Sequence, residues 1–306
     1  MSKTLNVYNL KFEWPDEKML IAGYTFMPKE DYLDRYKQLP HASDSLGGPE
    51  GVVRACNGTH AATGIVILPE EERAPALKWG RPDATELDDI LLLLSLFTQR
   101  RVLVFEEEDT QGIIADPREF HYGGTLALSL PQIQRGSGWE TEYAQAISSG
   151  VAEVNESIRS DEWQSTYHGG HFLFLFFSAC HRQIVETSFL LCWTIWEHLF
   201  RLHNEHWVSR GTLKNMNVRE KIRFILTEYG LRDKISKHDE KSVNRLTLVR
   251  HRLTHDGTFE KDDDIKAADL FIRLTEFVIA KILGLEPSDV FSPRERLDRF
   301  GRGELL

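Results

Sequence analysis

The stretch Leu246-Thr-Leu-Val-Arg-His-Arg-Leu-Thr-His255-Asp-Gly257 combines an apolar helical repeat with a concentration of basic side chains. Its apolar positions recur at spacings of three and four, which predicts one buried face of a helix; these positions are Leu246, Val249 and Leu253. Gly257 predicts the end of this helix, because glycine is favoured just beyond a helix C-terminus. The stretch therefore predicts a packed helix that ends in basic residues.

Three basic side chains, Arg250, His251 and His255, fall within the last turns of this helix. The unpaired carbonyl groups of a helix C-terminus favour positive charge at these positions. Positions 250 and 255 lie about 140° apart around an ideal helix, whereas positions 251 and 255 share one face. Convergence of Arg250 and His255 therefore requires the long arginine side chain, the helix end or a second subunit.

The chain on both sides of this stretch has helical periodicity from about Trp139 onward. Five helices are predicted, over residues 143–158, 171–204, 216–229, 239–256 and 262–283. Short links between such helices favour an up-and-down bundle. Two strongly apolar runs, 172–177 and 188–196, are separated by His181, Arg182 and Glu186. No apolar run reaches the eighteen or more residues of a membrane span, so no membrane association is predicted.

The first part of the chain has the short alternating runs that are typical of strands. Strands are predicted over residues 6–12, 20–26, 64–68 and 101–105, with one helix over 86–97 that Thr85 can cap. We therefore predict an α+β protein with a β-rich N-terminal domain over residues 1–138. An all-α helical bundle is predicted to follow over residues 139–306.

The charge distribution limits the partners of this acidic chain. A net charge of −10 argues against an extended basic face that coats nucleic acid nonspecifically. Residues 201–255 nevertheless carry thirteen Lys and Arg against six Asp and Glu. This local excess predicts that an RNA partner approaches the helical half rather than the acidic N-terminal half.

The cysteines and histidines indicate no metal site or cofactor. Cys56, Cys180 and Cys192 are odd in number, lack a C-x-x-C pair and are expected to be core residues of a reduced, cytoplasmic protein. The N-terminus lacks the apolar segment of a signal peptide, so export is not expected. A zinc site remains an alternative on three histidines of one helical stretch, although their spacing does not match His-Glu-x-x-His; they are His198, His203 and His206.

The helical half resembles the HEPN superfamily of helical bundles, and in particular its ApeA-like branch. The resemblance rests on the long helix that contains Leu190-Leu-Cys-Trp-Thr-Ile-Trp-Glu197-His-Leu-Phe, a charged middle section and Arg250-His251-Arg-Leu-Thr-His255 before a last amphipathic helix. The superfamily motif is an Arg, commonly followed by Asn, Asp or His, with a His four to six residues further on. Arg250, His251 and His255 match this motif, and the resemblance covers roughly the C-terminal half.

The resemblance implies a metal-independent endoribonuclease that works as a homodimer, with the motifs of two subunits facing each other. Such cleavage needs a base for the ribose 2′-OH, an acid for the departing 5′-oxygen and positive charge at the phosphate, and it leaves 2′,3′-cyclic phosphate ends. His255 is the expected acid–base residue, Arg250 the phosphate clamp and His251 a positioning or second proton-transfer group. Glu197 is a supporting candidate that could orient Arg250 or a histidine, or serve as a satisfied core carboxylate.

Similar proteins act in prokaryotic defence against phage, including abortive infection, or as toxins, so the resemblance implies an RNA-cleaving effector of this kind. The acidity of the N-terminal domain suits a sensor for a protein or peptide trigger, or simply a solvated domain face, and its residues do not select between these. Two other functions stay open. The bundle could be a non-catalytic scaffold for dimerisation or RNA binding, or the histidine cluster could form a zinc hydrolase.

Overall fold

The computed structural model describes residues 3–12, 16–36, 62–70, 74–77, 84–98, 101–106, 143–180, 185–231, 239–259 and 262–286. The chain divides into two compact units, residues 1–163 and 164–306. An antiparallel sheet lies near the N-terminus and most of the remaining described chain is helical, which confirms the mixed α+β class. Within these ranges, no helix is both long enough and apolar enough to cross a membrane.

The first unit contains a five-stranded sheet in the order β2-β3-β4-β1-β5, with antiparallel neighbours. The strands are β1 (Thr4–Tyr8), β2 (Met19–Ile21), β3 (Tyr24–Pro28), β4 (Ala62–Ile67) and β5 (Leu103–Phe105), and a short helix α1 (Tyr32–Tyr36) follows β3. The single strand predicted over residues 20–26 is wrong, because a hairpin interrupts it. Ala22 and Gly23 take φ values of 47° and 83°, which a tight two-residue turn requires.

The described part of the first unit has two further helices, α2 (Glu86–Thr98) and α3 (Tyr143–Arg159). Thr85 precedes α2 as predicted, and its backbone N–H donates to the Asp88 carboxylate at 2.8 Å. The α3 helix packs against α2 and β2, although its sequence pattern placed it at the start of the bundle. Arg159 of α3 forms an ion pair with the fully buried Asp89 of α2, which joins the two helices.

A short helix, α4 (Asp161–Tyr167), spans the boundary, and the second unit continues with six helices in its described part. These are α5 (His171–Cys180), α6 (Val185–Asn204), α7 (Arg210–Asn215), α8 (Val218–Glu228), α9 (Asp239–His255) and α10 (Asp262–Ile282). The helix predicted over 171–204 corresponds to α5 and α6, and residues 181–184 between them lie outside the described ranges. The central helix is α6, which contacts α5, α8, α9 and α10.

Aromatic side chains form the core around α6. The ring of Phe271 on α10 lies 4.9 Å from Phe189, 5.8 Å from Trp193 and 4.6 Å from Trp196, measured between centroids. The Trp196 Nε1–H donates to Thr275 Oγ1 at 3.0 Å, so its buried polar group is satisfied. These contacts hold α10 against α6. The α9 helix packs against both α6 and α10.

The cysteines of the helical unit are core residues, as predicted. Cys180 and Cys192 are fully buried free thiols, and Cys56 lies outside the described ranges. Burial raises the pKa of both thiols, to about 12 for Cys192. Neither thiol is therefore a candidate nucleophile, since the reactive form is the thiolate.

Candidate active site on helix α9

The end of α9 forms as the sequence pattern predicts. Leu246 and Val249 are 0% exposed and Leu253 is 4% exposed, so the apolar repeat faces the core. Gly257 takes a φ of +74°, and its N–H donates to the carbonyl of Arg252 at 3.3 Å. A left-handed residue at this place ends the helix and exposes its last turns.

His251 and His255 lie together on the solvent side of these turns. Their ring centroids are 4.3 Å apart with a tilt of 50°, and both residues are exposed. The contact follows from their i,i+4 spacing, which places side chains above one another on a helix surface. Neither imidazole forms an ion pair with a carboxylate in the described part of the chain. Two imidazoles at this separation can reach the same small substrate.

Arg250 leaves α9 on a different face and reaches α6. Its guanidinium carbon lies 5.7 Å from the ring centroid of Trp193, within the range of a cation–π contact. Its Nε is buried and has no hydrogen-bond partner among the described residues. The structure therefore brings His251 and His255 together, but no hydrogen bond or ring contact within the described ranges joins Arg250 to either histidine.

A buried carboxylate that the sequence pattern did not single out holds α9 to α10. Asp264 is 0% exposed, accepts a hydrogen bond from Arg252 Nη1 at 2.7 Å and pairs with Arg245 Nη2 at 2.9 Å. The acidic run Asp262–Asp264 suits the start of a helix by its sequence alone, so its pattern does not reveal the tertiary contacts of Asp264. Arg245 and Arg252 are seven positions apart on one face of α9, and this spacing was the available signal.

Glu197 has a different partner from the one expected. Its Oε1 lies 3.2 Å from Lys221 Nζ on α8, and its side chain is 38% exposed. The Lys221 ammonium group also lies 6.0 Å from the ring centroid of Phe200. Glu197 therefore links α6 to α8 instead of orienting Arg250 or a histidine of α9, and it is too exposed to be a core carboxylate.

The histidines of α6 are bound to neighbouring side chains and do not assemble a metal site. His198 Nδ1 lies 3.0 Å from Arg201 Nη2, and His203 Nε2 lies 3.0 Å from the Tyr229 hydroxyl. Burial, followed by the charge of Arg201, lowers the pKa of His198 to about 4, so His198 is neutral and accepts this hydrogen bond. In the part of the chain that the structure describes, no group of three or more His, Cys, Asp or Glu side chains is placed to bind a metal ion.

The last turns of α9 thus carry two adjacent imidazoles that can exchange protons and one guanidinium that can bind a phosphate. Comparison of the chain with protein-family models, curated proteins and solved structures finds no match. The chemistry of α9 and the motif on it therefore carry any inference about function.

Proposed function

We propose that the protein is a metal-independent endoribonuclease that works as a homodimer of HEPN-type bundles. The observation that carries the proposal is the pair of exposed imidazoles, His251 and His255, whose ring centroids are 4.3 Å apart. General acid–base catalysis needs two groups within reach of one phosphodiester, one to accept a proton and one to donate a proton. No metal or cofactor is part of this proposal.

The proposed reaction is transfer of the phosphoryl group to the neighbouring ribose oxygen. One imidazole of the pair takes the proton of the 2′-OH, and the 2′-oxygen attacks the phosphorus. The bond between phosphorus and the 5′-oxygen breaks, and the second imidazole, protonated at the start, gives its proton to that oxygen. The products are a 2′,3′-cyclic phosphate and a free 5′-OH. We assign the acid–base role to His255 and the second proton transfer to His251.

Arg250 is the proposed phosphate clamp, because its planar guanidinium can meet two phosphate oxygens at once. Its side chain leaves α9 about 140° away from that of His255 and lies against Trp193 in this subunit. A site that uses all three residues is therefore best completed by two copies of α9. Leu248, which is 50% exposed and lies one turn before His251, supplies apolar surface for such a contact.

RNA is the proposed substrate because the basic excess of the chain falls in residues 201–255, which hold thirteen Lys and Arg against six Asp and Glu. We propose a cytoplasmic effector in prokaryotic defence against phage or a toxin system. In this proposal the N-terminal unit responds to a protein trigger. The motif on α9 and this charge distribution support the proposal.

A specific observation also favours a second candidate, a non-catalytic scaffold for dimerisation or RNA binding. The partly buried Arg250 rests on Trp193, where it stabilises packing between α9 and α6. A guanidinium held there in both subunits would leave the two imidazoles without a phosphate clamp.

The test is cleavage of labelled tRNA and mRNA in EDTA by the wild type and by His255→Ala, His251→Ala and Arg250→Ala. His171→Ala is the matched control, because His171 is an exposed histidine on α5. The proposal predicts cyclic phosphate ends and a loss of about 10²- to 10⁴-fold for His255→Ala, with no loss for the control. Equal cleavage by all variants would overturn the proposed active site, and no cleavage by a wild type that binds RNA would favour the scaffold.

A further inference from the structure

Trp207 presents an indole ring to solvent in the turn between α6 and α7. Its side chain is 87% exposed, whereas the other large apolar side chains on the described surface are 38% to 66% exposed. The turn is held to the end of α6, because the N–H groups of Trp207 and Val208 donate to the carbonyl of Asn204 at 3.1 and 3.0 Å. These two hydrogen bonds therefore hold the backbone that carries the indole in place.

This indole has no internal role in the described part of the chain. Neither a ring contact nor a hydrogen bond to its Nε1–H occurs within the described ranges. Tryptophan provides a large flat apolar face with few rotatable bonds, which makes it an efficient contact residue when it meets a partner. An isolated, almost fully exposed indole is thus better explained by a ligand than by the packing of this chain.

The sequence around Trp207 is basic, which favours an anionic partner. Residues 201–223 contain six Lys and Arg against two Asp and Glu, and one of the six, Lys221, is paired with Glu197. Arg201 and Arg219 are both exposed. Basic side chains with an interspersed aromatic ring are the combination that binds single-stranded nucleic acid, in which the backbone meets the charges and a base stacks on the ring. An anionic membrane surface would favour several neighbouring apolar side chains on one amphipathic face. Within residues 201–231, Trp207 is the one large apolar side chain that is strongly exposed.

The position along α6 relates Trp207 to the candidate active site. Arg250 lies level with Trp193, and the turn that carries Trp207 begins at Asn204. The eleven residues from Trp193 to Asn204 correspond to about 16 Å of helix. An RNA strand that runs from Arg250 along α6 spans this length with a few nucleotides.

We propose that Trp207 stacks on a base of single-stranded RNA, a few nucleotides from the phosphate that is cleaved. The identification of RNA as ligand rests on the proposed function, and Trp207 is a binding residue with no part in proton transfer. Stacking on an aromatic ring tolerates every base, so this contact contributes affinity and sets a minimum substrate length without selecting a sequence.

The test measures binding of a fluorescent 2′-O-methyl 12-mer, which cannot be cleaved by 2′-OH attack, to the full chain. We expect Trp207→Ala to bind about 5- to 150-fold more weakly than the wild type, and Trp207→Phe to keep most of the affinity. Leu33→Ala is the matched control, because Leu33 is an exposed apolar residue of the first unit. Wild-type affinity in Trp207→Ala would overturn the inference.

Substrate length provides a second, independent measurement. Trp207→Ala should raise KM for a cleavable 12-mer and leave kcat/KM for a dinucleotide unchanged, because a dinucleotide at α9 cannot reach the indole. An equal loss on both substrates would show a purely structural role and overturn the inference. Unchanged RNA binding with loss of binding to vesicles that contain phosphatidylserine would overturn it in favour of a membrane surface. Weaker 12-mer binding by Trp207→Ala, in a protein that does not cleave RNA, would uphold the stacking site and refute the nuclease.

Discussion

The basic residues on two faces of α9 differ in their burial and in their contacts. On the face toward α10, Arg245 and Arg252 both contact the fully buried carboxylate of Asp264. On the solvent face, His251 and His255 contact each other. On the first face, two mostly buried guanidinium groups share one fully buried carboxylate. On the second face, water and ligands can reach the side chains.

This difference distinguishes residues that stabilise the helical bundle from residues that can take part in catalysis. A buried carboxylate between two guanidinium groups is explained by the fold alone, because each charge needs the others to compensate for lost water. An exposed imidazole pair adds little to the fold, since exposed contacts of this kind contribute only a fraction of a kcal/mol. Substitutions on the two faces should therefore change different properties of the protein.

The largest effect is expected from Asp264→Ala on the α10 side. Removal of this carboxylate leaves Arg245 and Arg252, both mostly buried, without their negative partner. We expect the free energy of unfolding of the helical unit to fall by about 3–5 kcal/mol. Urea unfolding followed by tryptophan fluorescence measures this change, because Trp193 and Trp196 lie in the core of that unit.

The neighbouring Asp263 provides the matched control for this experiment. Asp263 is 43% exposed and pairs with Lys266 at 3.6 Å, so Asp263→Ala should change the unfolding free energy by less than about 0.5 kcal/mol. Replacement of the whole cluster by Asp264→Leu, Arg245→Met and Arg252→Met should restore much of the lost stability. Equal stability of Asp264→Ala and Asp263→Ala would contradict the division between the two faces.

The fold could be predicted from the sequence where local patterns decide it. The apolar spacing of Leu246, Val249 and Leu253 predicts α9 over residues 239–256, and the helix runs Asp239–His255. The local pattern gave a wrong prediction where two turn residues lie within an apolar run. Ala22 and Gly23 divide the run from Leu20 to Phe26 into the two strands of a hairpin.

The contacts of the candidate site could be predicted from the sequence only where both residues lie on the same helix. The contact between His251 and His255 follows from their spacing alone. The partner of Arg250 on α6 and the partners of Asp264 on α9 depend on how helices pack, and no spacing within one helix specifies them. Glu197 shows the same limit, since its partner Lys221 lies on α8 and not on α9.

A smaller effect is expected from Arg250→Lys, which tests a residue on a third face of α9, the one in contact with Trp193 of α6. Lysine keeps the charge but loses the planar fork that binds two phosphate oxygens. We expect cleavage to fall by about 10²-fold, while loss of the contact with Trp193 lowers the unfolding free energy by about 1 kcal/mol. Single-turnover cleavage and urea unfolding of the same preparation separate these two changes.

The conservative change Arg35→Lys on α1 is the control for Arg250→Lys. Arg35 pairs with Asp31 on the first unit, at 2.6 Å, and has no place in the proposed site. Its replacement should leave cleavage unchanged. If Arg250→Lys lost stability and kept full cleavage, Arg250 would belong with the residues that hold the bundle, and the imidazole pair would have to act without it.

A further effect is expected from pH, and it extends the comparison to the half-buried His198. Burial and the charge of Arg201 lower the pKa of His198 from its ordinary value of 6.5 to about 4. The unfolded chain therefore takes up a proton at this position first as the pH falls, so stability that is present above pH 6.5 is lost progressively toward pH 4. Burial lowers the pKa of His203 as well, which adds a change in the same direction.

The variants His198→Gln and His255→Gln distinguish the half-buried histidine from the exposed one. Glutamine at position 198 can still accept a hydrogen bond from Arg201 but cannot titrate, so the decline of the unfolding free energy between pH 6.5 and 4 should become shallower. The same substitution at the exposed position 255 should reduce RNA cleavage, which His198→Gln should keep. Urea unfolding at intervals across this pH range measures the decline, and cleavage assays at one pH compare the activity of the two variants. An equally steep decline in His198→Gln would mean that this histidine does not cause the loss of stability, and a loss of cleavage in His198→Gln would mean that the chemistry is not confined to the exposed imidazole pair.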